Sequence, residues 1–297
     1  MNKKINYFAI ELSLNLRIIM KELFDIASKE TSKLTTKLYS TSFSIGVRML
    51  NARYRDAIYG IYGFVRFADE IVDSFYDFDK TYLLKRFRED AYYAIKQKIS
   101  LHPILNSFQY VVNKYKIDIQ MIDQFMHSME MDLSEKDYDR EKFDKYVMGS
   151  AEVVGLMCLK VFCEGDDKCY DELKPYAMKL GAAFQKINFL RDLKADYHHL
   201  GRIYFPGVDM EKFDDDMKKK LEGEIQDDFN EGYKGIRKLP KTALLGVYLS
   251  YVYFHSLFVK IKKIPAARIM NERIRINDFY KYVLFLGAII KCKLGMI

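Results

Sequence analysis

The chain has 297 residues, 49% of them hydrophobic, with 5 Pro, 15 Gly and no linker-like stretch or repeat, which predicts one helical domain with a large core. Its net charge of +7 comes from interleaved basic and acidic residues, so it favours lysine-rich surfaces and anionic substrates over a nucleic-acid interface. The four cysteines lack CxxC spacing, which argues against a zinc site or a disulfide framework and fits a reducing cytoplasm.

The first nineteen residues differ from the rest of the chain. They combine a basic start with an apolar run, but Glu11 and Arg17 interrupt the run and no small-residue cleavage site follows. The segment therefore matches neither a signal peptide nor a membrane span. We expect residues 1–19 to be an extension of uncertain order and residues 20–297 to form the single domain.

A cluster of hydroxyl residues follows the first predicted helix, which covers residues 21–38. Ser40, Thr41 and Ser42 stand just before a new apolar run. Hydroxyl side chains at such a position usually cap a helix, although they can also bind phosphate oxygens at a helix N-terminus. Both interpretations place the start of a helix here.

The next predicted helix, over residues 51–76, has an unusual polar face. Tyr62, Arg66, Asp69 and Asp73 are spaced three or four apart, so a phenol, a guanidinium and two carboxylates share one side of an otherwise apolar helix. Carboxylates are rarely buried unless they are paired or bind a cation. The pattern therefore points to a site rather than to an ordinary exposed face.

The middle of the chain reads as amphipathic helices. Residues 82–98, 103–115 and 119–133 fit the helical period, and the acids of the third, Glu130 and Asp132, are predicted to be exposed to solvent.

Another predicted helix, over residues 141–162, is apolar but contains Gly149, Ser150, Ala151 and Gly155. Glycine inside a helix costs about 1 kcal/mol relative to alanine, so something must offset that cost. The two explanations are close helix packing and space for a long apolar ligand.

A second polar face lies on the long helix predicted over residues 170–197. Gln185, Asn188, Asp192 and Asp196 are again three or four apart. An amide and two carboxylates on successive turns offer several oxygens to a hard divalent cation such as Mg²⁺, with Mn²⁺ as an alternative. The neighbouring Arg191, like Arg66, is suited to donate to phosphate oxygens.

The two acidic faces are 123 residues apart, since 192 − 69 = 123. If their helices face each other, as in helical carboxylate sites, they can hold metal ions between them. A cavity lined by four acids repels anions unless cations accompany them. The sequence therefore predicts a site for a magnesium-bound polyphosphate.

The remaining chain contains a loop and three helices. The loop, residues 198–209, carries Arg202 and Tyr204, which are placed to close over the acids, whereas His198 and His199 are interpreted as loop residues because neighbours in sequence do not share a helix face. No strand pattern is evident. Exposed charge runs are predicted at residues 214–216 and 218–220, and helices at residues 222–238, 241–263 and 278–293.

Five stretches of the chain, in order, resemble the squalene and phytoene synthases. The resemblance implies the all-α helical bundle of isoprenoid synthases with a central cavity, and it is strongest to bacterial phytoene synthases. The stretches are SF at Ser42 and Phe43, YGFVRFADEIVD ending at Asp73, YVMGSAEVVG at residues 146–155, QKINFLRDLKAD at residues 185–196 and RIYFP at residues 202–206.

The resemblance also implies roles for the site residues. As catalytic metal ligands it indicates Asp69, Asp73, Asp192 and Asp196, with Asn188 as a further ligand. Aromatic side chains would exclude water and stabilise carbocations through their ring faces. The phosphate contacts implied are Ser42, Arg66, Gln185, Arg191 and Tyr204, and the aromatic residues are Phe43, Tyr62, Phe64 and Phe184.

The reaction that the resemblance implies is head-to-head condensation of two geranylgeranyl diphosphates to phytoene through a cyclopropyl diphosphate, without a nicotinamide. We expect a cytoplasmic protein that contacts the inner face of the cell membrane and passes its product to a carotenoid desaturase, because a C40 hydrocarbon cannot diffuse through water. Some residues depart from the family pattern, which puts the strength of substrate binding in doubt. Tyr39 and Thr41 replace a common His and Lys, and Met148 replaces a second tyrosine.

Three alternatives remain. A C30 enzyme would join two farnesyl diphosphates to squalene or dehydrosqualene; only the modest size of Val47, one turn after Phe43, favours the longer substrate. A non-catalytic assembly factor would not need both acid pairs, which this chain keeps. A cyclising terpene synthase would fit the RIYFP stretch poorly.

Overall fold

The computed structural model describes residues 2–197, 201–209 and 212–297, with side chains from residue 20 onward except at residue 195. Within these ranges the chain is helical and contains no β-strand, as predicted. Its α-helices are α1 (Asn2–Tyr39), α2 (Thr41–Met49), α3 (Ala52–Ser74), α4 (Lys80–Gln97), α5 (Pro103–Tyr115), α6 (Ile119–Ser134), α7 (Arg140–Val147), α8 (Val153–Cys163), α9 (Asp167–Ala195), α10 (Asp215–Ile236), α11 (Lys241–Lys262), α12 (Ala266–Ile269) and α13 (Asp278–Lys293), and a π-helical turn, Met148–Glu152, joins α7 to α8.

Capping residues explain where most of these helices begin. The Ser40 side chain accepts a hydrogen bond of 3.3 Å from the Phe43 amide, which confirms that Ser40 caps a helix. Asp or Asn side chains cap most of the later helices in the same way, and Pro103 occupies the first turn of α5. α1 is continuous through residue 20, while the assignment of residues 1–19 to an extension outside the domain stays a prediction.

The predicted start of one helix is wrong. The charge runs at residues 214–216 and 218–220 are exposed as predicted except at Lys218, but Asp214 caps α10, which begins seven residues before the predicted start. Lys218 is buried and pairs with Glu222, one turn further along. Intrahelical pairing of opposite charges let a strongly charged segment join the helix and bury part of one face.

Two core clusters flank the acidic helices. α3 packs against α1, α4, α5 and α6 around stacked Phe64 and Phe108, whose ring centroids are 3.9 Å apart. α9 packs against α8 and α10, and its cluster includes Phe189 and Phe229. The candidate site therefore lies where the two clusters meet.

The glycines of the π-helical segment serve close packing. A Cβ on Gly149 would collide with the carbonyl oxygen of Gln124 and would lie 3.0 Å from the Ser128 side chain, both on α6. A Cβ on Gly155 would lie 3.0 Å from the carbonyl oxygen of Ala177 on α9. Close helix packing therefore accounts for both glycines.

We expect Gly149→Ala to destabilise the protein by about 1–3 kcal/mol, because the backbone of α6 cannot yield as a side chain would. The matched control is Gly223→Ala in α10, where nothing lies within 4 Å of the added carbon. That change should stabilise the protein by about 0.5–1 kcal/mol through helix propensity. Urea unfolding of the two variants measures both effects, and equal stability would contradict this account of the π-helical segment.

The structure contains a disulfide, Cys163–Cys169, although the cysteine spacing argues against disulfides, so the cysteines do not support a reducing compartment. Cys163 ends α8 and Cys169 lies in the first turn of α9, and the two Cα atoms are 5.8 Å apart. Glu164 and Gly165 reverse the chain between them with positive φ angles of 50° and 89°. The CxxxxxC spacing did not reveal the pair because the intervening turn, rather than the spacing, brings the two residues together. Cys158 and Cys292 are free.

Candidate active site

The first acidic face, on α3, is organised around Arg66. Its guanidinium pairs with Glu70, lies 3.9 Å from the nearest Asp69 carboxylate oxygen, and stacks over the Tyr39 ring at 4.3 Å. The Nε atom of Arg66 is buried and has no hydrogen-bond partner. Sequence reasoning placed Arg66 beside the acids but did not anticipate that Glu70 and Tyr39 hold it.

The second acidic face, on α9, contains an unsatisfied amide. The Oδ1 atom of Asn188 is buried without a hydrogen-bond partner. One turn further, Asp192 accepts from the Nε atom of Arg191 at 3.0 Å, and Arg273 lies 2.6 Å from the same carboxylate. Sequence reasoning missed Arg273, which comes from the segment between α12 and α13. A basic residue in that segment gave no periodic signal by which to place it.

The two acidic faces meet. Burial, followed by the nearby charge of Asp73, raises the pKa of Asp69 to about 8. Burial, followed by Asp192 and then Asp73, raises the pKa of Asp196 to about 8 as well. Asp73 of α3 thus lies close enough to repel both Asp69 on its own helix and Asp196 on α9. The Asp69 side chain keeps 34% of its surface accessible, so a ligand can reach its carboxylate.

Asp132, on α6, is a fifth acid that sequence reasoning misplaced. It was predicted to be exposed but is only 7% exposed. Its carboxylate accepts hydrogen bonds from the hydroxyl groups of Tyr146 at 2.7 Å and Tyr204 at 2.8 Å. Burial is the largest influence on this carboxyl and raises its pKa to about 6. A signal was present, because Asp132 is seven residues after the fully buried Phe125 and so shares the inner face of α6.

Arg202 links this buried acid to the first acidic face. Its guanidinium donates to Asp73 at 3.0 Å, to the Tyr204 hydroxyl at 3.2 Å and to the main-chain oxygen of Asp132 at 2.8 Å. The main chain of Arg202 is tied to α9, since its amide donates to the Asp196 carbonyl at 2.9 Å. Residues 201–209 therefore fold over the acids, whereas the predicted loop histidines His198 and His199 lie outside the described residues.

Stacked aromatic pairs lie on the helices that carry the acids. Phe43 on α2 stacks on Tyr62 of α3, with ring centroids 4.9 Å apart, and burial raises the pKa of the Tyr62 phenol to about 12. Phe184 on α9 stacks on Phe254 of α11 at 4.1 Å. Phe64 belongs to the core instead, since it is fully buried against other phenylalanines. Ser42 and Gln185 are half-buried, in the first turn of α2 and on the acidic side of α9.

The site residues suit a hard divalent cation. Carboxylates and an amide oxygen are the donors that Mg²⁺ prefers, and the partnerless Asn188 oxygen needs a positive partner. Among the described residues, no three Asp, Glu, His or Cys side chains are grouped to hold an ion by themselves. Ligands from outside the protein, such as phosphate oxygens, would therefore have to complete the coordination shell.

The family assignment follows from comparison with known proteins. The sequence model of the squalene/phytoene synthase family matches residues 36–279. This chain belongs to that family. The match spans the acids of α3 and α9, Asp132 and Arg202, so every residue of the polar centre lies inside the family domain.

Individual members of the squalene/phytoene synthase family carry different names. A phytoene synthase from Arthrospira platensis is 28% identical over 214 residues, 69% of each chain. A 4,4'-diapophytoene synthase from Staphylococcus haemolyticus is 27% identical over 200 residues, covering 66% of this chain and 67% of the relative. A presqualene diphosphate synthase from Zymomonas mobilis is 31% identical over 208 residues, with 65% and 66% coverage.

Solved structures show that the squalene/phytoene synthase fold is preserved. A crystal structure of a dehydrosqualene synthase superimposes with a TM-score of 0.77 at 18% identity, covering 91% of this chain and 98% of the other. A squalene synthase from Alicyclobacillus acidocaldarius superimposes with a TM-score of 0.69 at 21% identity, covering 83% and 95%. The predicted all-α isoprenoid synthase fold is therefore confirmed.

The raised carboxyl pKa values predict how the stability of the metal-free protein depends on pH. A carboxyl whose pKa is higher in the folded than in the unfolded protein binds its proton more tightly when folded. Asp69 and Asp196 should therefore destabilise the fold progressively as pH rises from about 4 to about 8.

Asp69→Asn removes one of these groups. In chelator, the difference between the melting temperatures of the variant and the wild type should be small at about pH 5 and should favour the variant at about pH 8. Magnesium should stabilise the wild type more than the variant. A difference that is the same at both pH values would contradict the repulsion described for this cavity.

Proposed function

We propose that this protein condenses two molecules of geranylgeranyl diphosphate head to head to phytoene, through a cyclopropyl diphosphate, and releases diphosphate. The observation that carries the proposal is that Asp73 of α3 and Asp196 of α9 are joined by Arg202, which donates to the Asp73 carboxylate and to the Asp196 main-chain oxygen. We place a prenyl diphosphate cavity where the two acid pairs approach each other, near the stacked pairs Phe43–Tyr62 and Phe184–Phe254. A cation-dependent diphosphate site beside a dry apolar space is what ionisation of a prenyl diphosphate requires.

Asp69, Asp73, Asp192, Asp196 and Asn188 would hold magnesium, or manganese, in this cavity. The bound metal would supply the positive charge that stabilises diphosphate as a leaving group. The high pKa of Asp69 and of Asp196 supports this role, because burial first, and then repulsion by neighbouring carboxylates, disfavours their charged forms when no cation is bound.

The arginines can complete the diphosphate site. Arg66 has a free Nε donor, and Arg191 and Arg273 both hold Asp192. If Asp192 held a cation, these two guanidinium groups would be free to donate to phosphate oxygens, which accept from arginine in a bidentate manner. Ser42, Gln185 and Tyr204 are proposed as further phosphate contacts, on the strength of the family resemblance.

Aromatic side chains would then guide the carbocation. Phe43 and Tyr62 form one stacked pair and Phe184 and Phe254 another. Ring faces stabilise a nearby cation, and the absence of water prevents its capture as an alcohol. The proposed role of Phe43 and Tyr62 is therefore to bind the prenyl chain beside the diphosphate.

A C30 reaction from farnesyl diphosphate is the second candidate. It is supported by the 4,4'-diapophytoene synthase relative and by the resemblance to a dehydrosqualene synthase structure. The phytoene synthase relative supports the C40 product in the same way. Val47 does not distinguish the two, since it is packed into the core.

Product analysis separates the two candidates. The purified protein is incubated with Mg²⁺ and either geranylgeranyl or farnesyl diphosphate, without nicotinamide. The reaction mixture is then extracted and the hydrocarbon products are identified by mass. We expect phytoene from geranylgeranyl diphosphate. A C30 hydrocarbon alone would overturn the substrate assignment. The absence of any condensation product from either substrate would overturn the proposed activity. Accumulation of the cyclopropyl diphosphate would show that the protein catalyses only the first of the two proposed steps.

The proposed product also implies a location. A C40 hydrocarbon is insoluble in water, so we propose that the protein works in the cytoplasm at the inner face of the cell membrane. A carotenoid desaturase would take the hydrocarbon from there.

A further inference from the structure

The outer face of α13 is a continuous apolar surface. Its residues fall at i, i+3, i+4, i+7 and i+11, the spacing of a single helix face. Each of these side chains is between 41% and 78% exposed. They are Phe279, Tyr282, Val283, Leu286 and Ile290, which we call the α13 outer face.

The opposite face of α13 is already occupied. Leu284, Phe285 and Ala288 pack against Tyr248 and Leu249 of α11, in a separate small core. The hydroxyl of Tyr253 on α11 also donates to the main-chain oxygen of Lys281 at 3.1 Å. The helix is therefore held on the protein by one side, and its apolar outer face is not needed for folding.

The helix beneath α13 is itself unusually apolar. Two described segments, Arg140–Cys163 and Lys241–Lys262, are long and apolar enough to cross a membrane by composition. The first is 61% buried, as expected of a core helix, but the second, which is α11, is only 39% buried. Within Lys241–Lys262, all of which the structure describes, Val259 is the only exposed large apolar side chain. The apolar surface is therefore formed by α13, which packs on α11 from its other side.

After its first residue, Asp278, α13 carries only positive charges. Residues 279–297 contain three lysines and no Asp or Glu. Lys291 and Lys293 are exposed at the end of the helix, and the nearest acid in sequence, Asp278, is paired with Lys281 at 3.1 Å. The exposed leucines of α1, in contrast, are interspersed with Glu22, Asp25 and Glu30.

We propose that the α13 outer face docks on an anionic lipid surface, with its apolar side chains in the headgroup region and Lys291 and Lys293 against lipid phosphates. An apolar helix face with a cationic end and no carboxylate matches such a surface in both polarity and charge. The family match ends at residue 279, so the surface lies almost entirely outside the matched domain. The proposal rests on the exposed face of α13, whose other face packs on α11, and not on the reaction.

Vesicle flotation of the full chain tests the proposal. The probes are phosphatidylcholine vesicles with and without one third phosphatidylglycerol. We expect the wild type to bind the anionic vesicles and Leu286→Gln/Ile290→Gln to bind on the order of 100-fold more weakly. Lys291→Gln/Lys293→Gln should weaken binding to the anionic vesicles about 30-fold and leave binding to neutral vesicles unchanged.

The matched control is Ile99→Gln/Leu101→Gln, which removes two exposed apolar side chains from the α4–α5 connection. It should bind as the wild type does. Equal binding by the α13 variant and this control would overturn the proposal. The proposal would also be overturned if the wild type did not bind vesicles and instead formed a dimer, and if Leu286→Gln/Ile290→Gln made that dimer dissociate. A second copy of the chain would then cover the α13 outer face. Turnover in detergent reports separately on the proposed reaction, so the two proposals can fail independently.

Discussion

Asp69→Ala and Asp192→Ala should each lower turnover by at least about 10³-fold while the protein stays folded. Asp69 contributes repulsion rather than stability to the metal-free fold, because its carboxyl is buried beside Asp73. Asp192 contacts only Arg191 and Arg273 through the polar interactions seen in the described chain, and both arginines can remain solvated without it. Steady-state assays with prenyl diphosphate and Mg²⁺ measure the loss, and circular dichroism measures the fold.

The control for these variants is Asp90→Ala on α4. Asp90 forms an ion pair of 3.1 Å with Arg86 on the protein surface, one helical turn away. Removing this carboxylate should leave turnover within about twofold of the wild type, because an exposed pair contributes less than 1 kcal/mol. Wild-type turnover in both cavity variants would show that the acids of α3 and α9 do not form the reaction site.

Arg202→Gln should destabilise the protein by about 3–5 kcal/mol, because it leaves the buried carboxylate of Asp132 without its cation. Arg202 is 7% exposed, and it also holds Asp73 and the Tyr204 hydroxyl. Urea unfolding measures the loss. Adding Asp132→Asn should recover part of the stability, since the second change removes the unpaired charge.

The matched control is Arg140→Gln. Arg140 pairs with Asp144 and Glu224 at 3.0 Å, but its side chain is 58% exposed. This variant should lose less than about 1 kcal/mol. If Arg202→Gln lost no more than Arg140→Gln, or if the double variant were less stable than Arg202→Gln, the network around Asp132 would not be the stabilising unit described above.

Several features of the site could be read from local spacing. The 3.6-residue period alone put Asp69 with Asp73 and Asp192 with Asp196, and the structure keeps each pair on one helix face. Capping by Ser40 was equally local, because a cap is a contact between neighbours in sequence. The roles of the four aspartates in binding metal, and of hydroxyl residues at the start of α2 in binding phosphate, stay predictions.

Other features depended on contacts between distant segments. Asp132 looked like any acid on an amphipathic helix until Tyr146 and Tyr204 enclosed it. Arg273 reaches Asp192 from a segment without periodicity. The spacing from Phe125 places Asp132 on the inner face of α6, but its partners come from other segments, as Arg273 does for Asp192. Local spacing does not identify such partners.

The sequence by itself determined that the protein is helical, where most helices begin and which acids share a face, since these properties depend on periodicity and on capping contacts between near neighbours. Only the tertiary structure decided that the two acidic faces meet, that Asp132 belongs beside them and that Arg202 joins them. The reason is physical. Burial and charge repulsion, which raise the pKa of Asp69 and of Asp196, arise from segments that only folding brings together.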